Sequence, residues 1–188
     1  MEKLVIFSAP SGSGKTTVVN HLLKTLQDRL AFSISATTRK KRPQEVDGKD
    51  YYFLDEATFR KKLESREFLE YEEVYKGLFY GTLNSEIERI WSLGKAVIFD
   101  VDVKGGISIK DKFGDKALSV FLRPPSVEVL MERLKKRDTE VEHMLKERVD
   151  KANFELQYER FFDIVIVNEI LEDTLKKAEE VVLGFLDS

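Results

Sequence analysis

Residues 8–17 have the types and spacing of a phosphate-binding loop. They read SAPSGSGKTT, follow the apolar run LVIF and precede a stretch of helical periodicity. Gly12 and Gly14 allow the backbone to bend so that successive N–H groups point at phosphate oxygens, and the following helix adds its positive N-terminal end. In such a loop Lys15 bridges the β- and γ-phosphates and the Thr16 hydroxyl binds Mg²⁺. The stretch therefore predicts a nucleotide phosphate site.

One residue departs from the usual pattern of this loop, which is G-x-x-x-x-G-K-[ST]. Ala9 stands where the first glycine is expected, whereas Gly14, Lys15 and Thr16 are in place. A Cβ does no harm where φ is negative, so we expect Ala9 to be tolerated. A plain strand-to-helix turn also needs glycine, but it does not need a lysine and a hydroxyl residue in this order. We therefore interpret the loop as a functional one.

A basic cluster in SATTRKKRP is a candidate for binding a second phosphate. Arg39 and Arg42 lie three residues apart, and two guanidinium groups so close suit the fork-like binding of a phosphate dianion. Lys40 and Lys41 lie between them, so an ordinary solvated basic face explains the cluster equally well. The cluster alone leaves both interpretations open.

Apolar runs of strand length alternate with stretches of helical periodicity along most of the chain, which predicts an α/β fold with a parallel sheet flanked by helices. The predicted strands are LVIFSA, AVIFDV, ALSVFL and DIVIV, with FSIS as a shorter one. The predicted helices cover residues 15–26, 103–112, 126–136, 140–161 and 171–186. Between FSIS and Lys95 the alternation breaks, with a short helix at 56–66 and aromatic strands at 68–80. This segment predicts a small inserted unit.

The composition restricts the classes of function. The chain has 188 residues, of which 42% are hydrophobic, enough for one compact unit. A formal net charge of −3 gives no basic field for a nucleic-acid backbone. The absence of cysteine excludes disulfides, a thiolate nucleophile and a cysteine metal site. Since no apolar run approaches the length of a membrane span, we expect a cytoplasmic protein without nucleic-acid or membrane partners.

Six motifs occur in one order along the chain. They are SAPSGSGKTT, FSISATTRKKRPQEVDGKDYYF, FLEYEEVYKGLFYGT, VIFDVDVKGG, VFLRPPSVEVLMERLKKRDTE and DIVIVN. Together they resemble guanylate kinases, the P-loop nucleoside monophosphate kinases that phosphorylate GMP. The resemblance runs from about Leu4 to Asn168, and the second motif is the most specific. It implies one domain over 1–188, with a P-loop core (1–34, 83–125 and 160–188), a GMP-binding insertion (about 35–82) and a helical lid (about 126–159).

The resemblance assigns residues to the GMP site. Those implied to bind GMP are Ser35, Arg39, Arg42, Tyr51, Glu70, Tyr80, Thr82, Asp100 and Asp102. Guanine presents N1–H and N2–H donors and an O6 acceptor, so a carboxylate such as Glu70 can accept from the donors while a hydroxyl donates to O6. Adenine has the opposite polarity at these positions. A buried carboxylate facing adenine would be left unpaired, which is an effect that rejects a wrong substrate strongly.

The resemblance also assigns the ATP site and the catalytic groups. Those implied to bind ATP are Ser11, Gly12, Ser13, Gly14, Lys15, Thr16, Thr17 and Asn168, and those implied to be catalytic are Lys15, Arg133, Arg137 and Arg148. Mg²⁺ would be held by Thr16 and by Asp100, directly or through water. The implied reaction moves the γ-phosphoryl group of ATP to GMP, and to dGMP, in purine nucleotide metabolism.

Three alternatives remain open from the sequence. A regulatory GTPase would share the loop, and residues 102–105 read DVKG, but no Asn-Lys-x-Asp motif is present. A related small-molecule P-loop kinase would not need Ser35, Glu70 and Thr82. A guanylate-kinase-like scaffold that binds protein partners could dispense with Lys15 and the lid arginines, all of which are present.

Overall fold

The structure is a computed structural model that describes the backbone of residues 2–137 and 142–188, and the side chains of these residues except 134, 136–137 and 142–148. The strands are β1 Leu4–Ser8, β2 Leu30–Phe32, β3 Ala36–Thr37, β4 Tyr52–Phe53, β5 Phe68–Tyr75, β6 Leu78–Leu83, β7 Ala96–Asp100, β8 Ala117–Arg123 and β9 Ile164–Val167. The helices are α1 Lys15–Thr25, α2 Glu56–Glu64, α3 Asn84–Ser92, α4 Val103–Phe113, α5 Val127–Arg137, α6 Glu142–Leu156 and α7 Leu171–Asp187.

The main sheet consists of five parallel strands in the order β2-β7-β1-β8-β9. The central strand β1 is buried along its whole length, as its apolar sequence predicts. Val5 and Phe7 pack on one face against α1 and α7, whereas Leu4 and Ile6 pack on the other against α3 and α4. The side chains alternate between the two faces because successive residues of a strand point to opposite sides. The predicted α/β class with a parallel, helix-flanked sheet is confirmed.

A second sheet has four short strands in the order β4-β3-β6-β5 and lies between β2 and β7 in the sequence. Helix α2 covers it and supplies Phe59, whose ring stacks on Phe68 and Phe79 with centroids 4.2 and 5.1 Å apart. Leu83 and Ala36 complete this small cluster. The segment therefore has a hydrophobic core of its own, separate from the two clusters on the main sheet.

Two predicted elements differ from the structure. The expected strand FSIS is wrong: the strand of the main sheet is Leu30–Phe32, because Leu30 pairs with Ala96 at the start of β7. Ser33 makes one last bond to that strand, through its N–H to the carbonyl of Ile98, and the chain then crosses to the second sheet. The predicted helix 140–161 ends early at Leu156, where tighter three-residue bonds replace the helical ones and a short 3₁₀ turn follows.

Helix α3 lacked a sequence signal at its start. Its N-cap residue is Leu83, whose side chain makes no capping hydrogen bond, so the usual serine, threonine or aspartate marker is missing. Burial of Ile87 and Ile90 against the main sheet stabilises the helix instead. Among the helices in the described part of the chain, none has the length and apolar character needed to cross a membrane.

Candidate active site

The loop between β1 and α1 has a backbone that only glycine adopts easily at two positions. Gly12 and Gly14 have φ angles of 89° and 91°, in the left-handed region. At Gly14 there is also no space, because an added Cβ would lie 2.5 Å from the side-chain nitrogen of Asn168. Ala9 lies outside the left-handed region, which among described non-glycine residues only Arg66 occupies. The alanine in place of the usual glycine therefore causes no backbone strain.

Asp100 holds the two functional side chains that follow the loop. The Nζ atom of Lys15 lies 2.7 Å from Oδ1 of Asp100 and also donates to the carbonyl oxygen of Val101 at 2.7 Å. The hydroxyl of Thr16 donates to Oδ2 of Asp100 at 3.1 Å. The two parts meet because β1 and β7 are parallel neighbours and Phe7 pairs with Asp100, so both strands end at the same edge of the sheet.

The donor set at Thr16 and Asp100 fits Mg²⁺. A hydroxyl and a carboxylate are hard oxygen donors, and Mg²⁺ in nucleotide sites usually takes one or two protein oxygens together with phosphate oxygens and water. No cluster of three or more acidic, histidine or cysteine side chains suited to a metal occurs among the described residues. Because Mg²⁺ bound with a nucleotide takes most of its ligands from phosphates and water, two protein oxygens are enough for such a site.

Four polar side chains share one face of the second sheet, the face that meets the main sheet. Glu70 pairs with Thr82 and Glu72 pairs with Tyr80 across β5 and β6. The Thr82 hydroxyl donates to Oε1 of Glu70 at 2.7 Å. Burial raises the pKa of Glu70, and the hydrogen bond from Thr82 opposes the shift. This places a partly buried carboxylate, which accepts hydrogen bonds, beside a buried hydroxyl, which donates one.

Asp102 faces this pair from the start of α4. Its Oδ1 accepts the backbone N–H of Gly105 at 2.7 Å and so caps the helix. A Cβ at Gly105 would lie 3.2 Å from Oε2 of Glu70 and 3.4 Å from Oδ1 of Asp102, so the two acids flank the same glycine. A hydrogen bond with Asp102 and partial burial raise the pKa of Glu72 to about 7. Glu70, Glu72 and Asp102 therefore form an acidic cluster, in which Glu72 is the member whose pKa lies near neutral.

Arg39 lies at the centre of the basic cluster. Its guanidinium group pairs with Glu45 through both terminal nitrogens, Nη1 to Oε2 at 3.0 Å and Nη2 to Oε1 at 2.7 Å. The group also lies 5.4 Å from the ring of Tyr51, which in turn contacts the ring of Tyr80 edge to face at 5.9 Å. Arg42 is exposed and its backbone N–H donates to Glu45 at 2.7 Å. The structure thus brings the two arginines and the two tyrosines of the predicted phosphate site into one region.

Three cavities lined by described residues adjoin the loop. The largest of these three, of about 620 Å³, lies between α1 and the second sheet and is lined by Thr16, Ser35, Tyr51 and Asp100 among others. A cavity of about 290 Å³ is lined by Ser11 and the other loop residues, and also by Asp102, Lys151 and Glu155. A third, of about 350 Å³, is lined by Gly12, Gly14, Thr17, Arg133 and Asn168. Since the second cavity shares Thr16 with the first and both glycines with the third, the three lie side by side around the loop.

Comparison with known proteins decides the family. The sequence profile described as Guanylate kinase matches residues 1–183. The chain belongs to the guanylate kinase family. A guanylate kinase of Porphyromonas gingivalis is 49% identical over 186 residues, which are 99% of this chain and 99% of the relative. One of Thermotoga maritima is 43% identical over 180 residues, 96% of this chain and 86% of the relative. The crystal structure of guanylate kinase from Anaplasma phagocytophilum superposes with a TM-score of 0.75 at 30% identity, covering 97% of this chain and 85% of that one.

Asn168 contacts the loop of this guanylate kinase family member directly. Its buried side chain donates to the carbonyl oxygen of Ser13 at 2.7 Å. The guanidinium of Arg133 donates to the backbone carbonyl of Asn168 at 3.2 Å, so α5 is connected to the same point. The side chains of Arg137 and Arg148 lie outside the described residues.

Four acidic or basic residues near the site were missed by the sequence reasoning. Glu45 and Glu72 lie within quoted motifs but were given no role, whereas Lys151 and Glu155 lie outside the motifs in a charged segment. Glu155 is buried beside the loop, and burial raises its pKa. For Glu72 a signal was present, because it alternates with Glu70 along a strand and must share its face.

Proposed function

We propose that the protein transfers the γ-phosphoryl group of ATP to GMP, and also to dGMP, giving ADP and GDP or dGDP in purine nucleotide metabolism. Membership of the guanylate kinase family supports phosphorylation of GMP in general. The observation that carries the assignment to this chain is the partly buried Glu70, hydrogen-bonded to Thr82 and facing Asp102. Glu70 is a hydrogen-bond acceptor near the phosphate-binding loop, so it favours a base that presents donors to it. Guanine presents N1–H and N2–H, whereas adenine has the opposite polarity at these positions.

Base selection follows from the polarity of this pair. Glu70 accepts from N1–H and N2–H of guanine, while a hydroxyl donates to O6. Ser35 is free to do so directly, whereas the Thr82 hydroxyl would have to turn its proton away from Glu70. Although burial raises the pKa of Glu70, the two donors of guanine favour its charged form and offset that effect. Adenine would leave the buried carboxylate without donors, which costs more than the loss of a surface hydrogen bond. Asp102 completes the acceptor side of the pocket.

The phosphate of GMP is held by Arg39, Arg42, Tyr51 and Tyr80. Two cations and two hydroxyl donors suit a dianion, since charge-assisted hydrogen bonds are stronger than neutral ones. The oxygen that attacks ATP is already anionic, so the reaction needs no general base. Positioning and charge stabilisation are then the main tasks of the protein in phosphoryl transfer.

The loop binds the phosphates of ATP through backbone N–H groups in residues 11–17, but not those of Ser13 and Thr17, which donate to the carbonyl oxygens of Pro10 and Gly14. Lys15, held by Asp100 and the Val101 carbonyl, is already near the edge of the sheet where the γ-phosphate would lie. Mg²⁺ bound with ATP supplies further neutralisation of the developing charge, with Thr16 and Asp100 as its protein donors. Arg133, Arg137 and Arg148 carry the same task from the lid.

Asn168 is assigned to the ATP site in this proposal. Its hydrogen bond to Ser13 supports the loop, and its cavity leaves room on the side away from the GMP pocket, where the adenine would lie. The division into a core, a GMP-binding insertion at about 35–82 and a lid at about 126–159 belongs to the same proposal. The separate hydrophobic core of the second sheet supports the insertion. A cytoplasmic location stays a prediction.

The role of Lys15 tests whether the protein is a kinase or a non-catalytic scaffold. Lys15→Ala removes a charge contact to the transferring group, so the rate of ADP formation with GMP should fall by at least ~100-fold. Binding of GMP, measured by calorimetry, should survive because Lys15 belongs to the ATP side. Near-normal turnover by the variant would refute its role. Binding of GMP without any ADP formation by the unmodified protein would favour the scaffold.

A further inference from the structure

We propose that Glu45 is a positioning residue that holds Arg39 and the Arg42 loop in the geometry that grips the phosphate of the acceptor nucleotide. The inference rests on the proposed function, because it refines the phosphate site of GMP. Glu45 contacts the Arg39 side chain and the Arg42 backbone without being a phosphate ligand itself, since a carboxylate repels a phosphate.

The contacts of Glu45 join two parts of one loop. Each of its carboxylate oxygens accepts from the guanidinium of Arg39, and Oε2 also accepts the backbone N–H of Arg42. In return, the backbone N–H of Glu45 donates to the carbonyl of Arg42 at 3.1 Å, which closes a turn. The position of the Arg42 backbone is therefore fixed relative to the Arg39 side chain by a single carboxylate.

The pairing leaves one edge of Arg39 for a ligand. A guanidinium has five N–H donors, and Glu45 accepts two of them, one from Nη1 and one from Nη2. The second N–H of Nη1 donates to the carbonyl of Lys40 at 2.9 Å. The Nε–H and the second N–H of Nη2 lie side by side on another edge of the guanidinium. Their spacing fits two oxygens of a phosphate. Glu45 thus orients Arg39 while leaving a bidentate edge for phosphate.

The pair is more than an ordinary surface contact. Only 19% of the Arg39 side chain and 12% of the Glu45 side chain are exposed, so solvent screens it less than an open ion pair. Hydrogen bonds from Arg39 and from the backbone of Arg42 lower the pKa of Glu45 to about 2, so it is ionised at every physiological pH. The rings of Tyr51 and Phe53 contact the guanidinium at 5.4 and 5.6 Å and limit its other rotamers. Because Arg39 is already ordered before GMP binds, the binding free energy of GMP is not reduced by the entropy cost of ordering this side chain.

Two opposite roles of Glu45 predict opposite changes in the affinity for GMP when Glu45 is replaced. If Glu45 were a stand-in for phosphate that must be displaced, its removal would free Arg39 and GMP would bind more tightly. If Glu45 positions Arg39, its removal leaves a long flexible side chain and GMP binds more weakly. The KM for GMP and its dissociation constant therefore distinguish the two roles directly.

The test compares Glu45→Gln with the unmodified protein and with Glu64→Gln, an exposed acid at the end of α2. We expect the KM for GMP to rise roughly tenfold in Glu45→Gln, the size expected when a charged group loses a hydrogen-bond partner. The KM for ATP should stay within about twofold and kcat should be largely kept. Calorimetry should give the same rise in the dissociation constant of GMP without relying on turnover.

Two further measurements separate positioning from a loss of folding. Glu45→Asp keeps the charge with a shorter side chain, so its KM for GMP should lie between those of the unmodified protein and Glu45→Gln. Guanosine has no phosphate, and its binding should be the same in all variants. An unchanged or lower KM for GMP in Glu45→Gln would overturn the inference, as would an equal rise in the KM for ATP. If the unmodified protein makes no ADP with GMP, the proposed function fails instead, and calorimetry still decides the role of Glu45.

Discussion

The residues around the site act in pairs joined by an ion pair or a hydrogen bond. Lys15 is held by Asp100, Arg39 by Glu45, and the partly buried Glu70 by Thr82. Each pair keeps a group in place that would otherwise lose rotamer entropy on binding a ligand. The motif resemblance indicated both members of the Lys15–Asp100 and Glu70–Thr82 pairs, whereas Glu45 became visible as the partner of Arg39 only in the fold.

Glu72 gives a pH-dependence that can be measured on the folded protein alone. A hydrogen bond with Asp102 and partial burial raise its pKa from 4.5 to about 7, so the folded state holds this proton more tightly than the unfolded state. The resulting contribution to stability is fully present below pH 4.5 and is lost as the pH rises through about 7. Lys104 and Lys151 oppose the shift, and Asp102 favours it.

Replacing Glu72 by glutamine should flatten this dependence. The amide cannot ionise but can donate to Asp102 as the protonated acid does, so the fall in unfolding temperature between about pH 5 and pH 8 should be smaller in Glu72→Gln than in the unmodified protein. Glu88→Gln, an exposed acid on α3, is the control and should leave the dependence unchanged. Parallel curves for Glu72→Gln and the unmodified protein would contradict the raised pKa of Glu72.

At the scale of elements, the sequence predicted those with a complete local signal. The loop and α1, the strands of the main sheet and α7 have apolar periodicity and the right flanking residues. Strand β2 was misplaced because its position is set by pairing with β7, which is a long-range contact. Helix α3 was missed because it begins without a capping side chain, and α6 was drawn too long because no glycine or proline marks its end at Leu156.

Helix α7 contains a glycine whose replacement tests how local residue preference stabilises a helix. Gly184 is exposed in the helix, and an added Cβ there would meet no atom within 4 Å. Gly184→Ala should therefore raise the free energy of unfolding by about 0.5–1 kcal/mol, because alanine loses less backbone entropy than glycine in a helix. Denaturant unfolding measures the change. Gly94→Ala is the matched control: the space is also open, but φ is 72°, so this variant should be less stable. A destabilised Gly184→Ala would contradict the expectation.

At the scale of the whole molecule, the second sheet is joined to the core through buried carboxylates. Glu86 at the start of α3 is 2% exposed and accepts from the backbone N–H of Ile34 at 3.1 Å and from the hydroxyl of Tyr52 at 2.9 Å. Glu70 and Asp102 meet at Gly105 on the other side. The acceptor pocket and the phosphate loop are thus built from segments far apart in sequence. Motif resemblance indicated that these residues belong together, but spacing alone could not, since their proximity depends on the packing of two sheets.

Substrate choice tests the central claim, because Glu70 and the phosphate grip together should accept only a guanine nucleotide. With Mg²⁺ and ATP, a coupled assay should show rapid ADP formation with GMP, activity with dGMP, and little with AMP, CMP or UMP. IMP lacks the N2 amino group and should be weaker than GMP by about 1.5–3 kcal/mol, the cost of one hydrogen bond to a charged acceptor. Glu70→Gln should reduce the preference for GMP over the other nucleotides, because an amide is a weaker acceptor than a carboxylate. Comparable ADP formation with AMP, or with a ribose phosphate that has no base, would contradict the account.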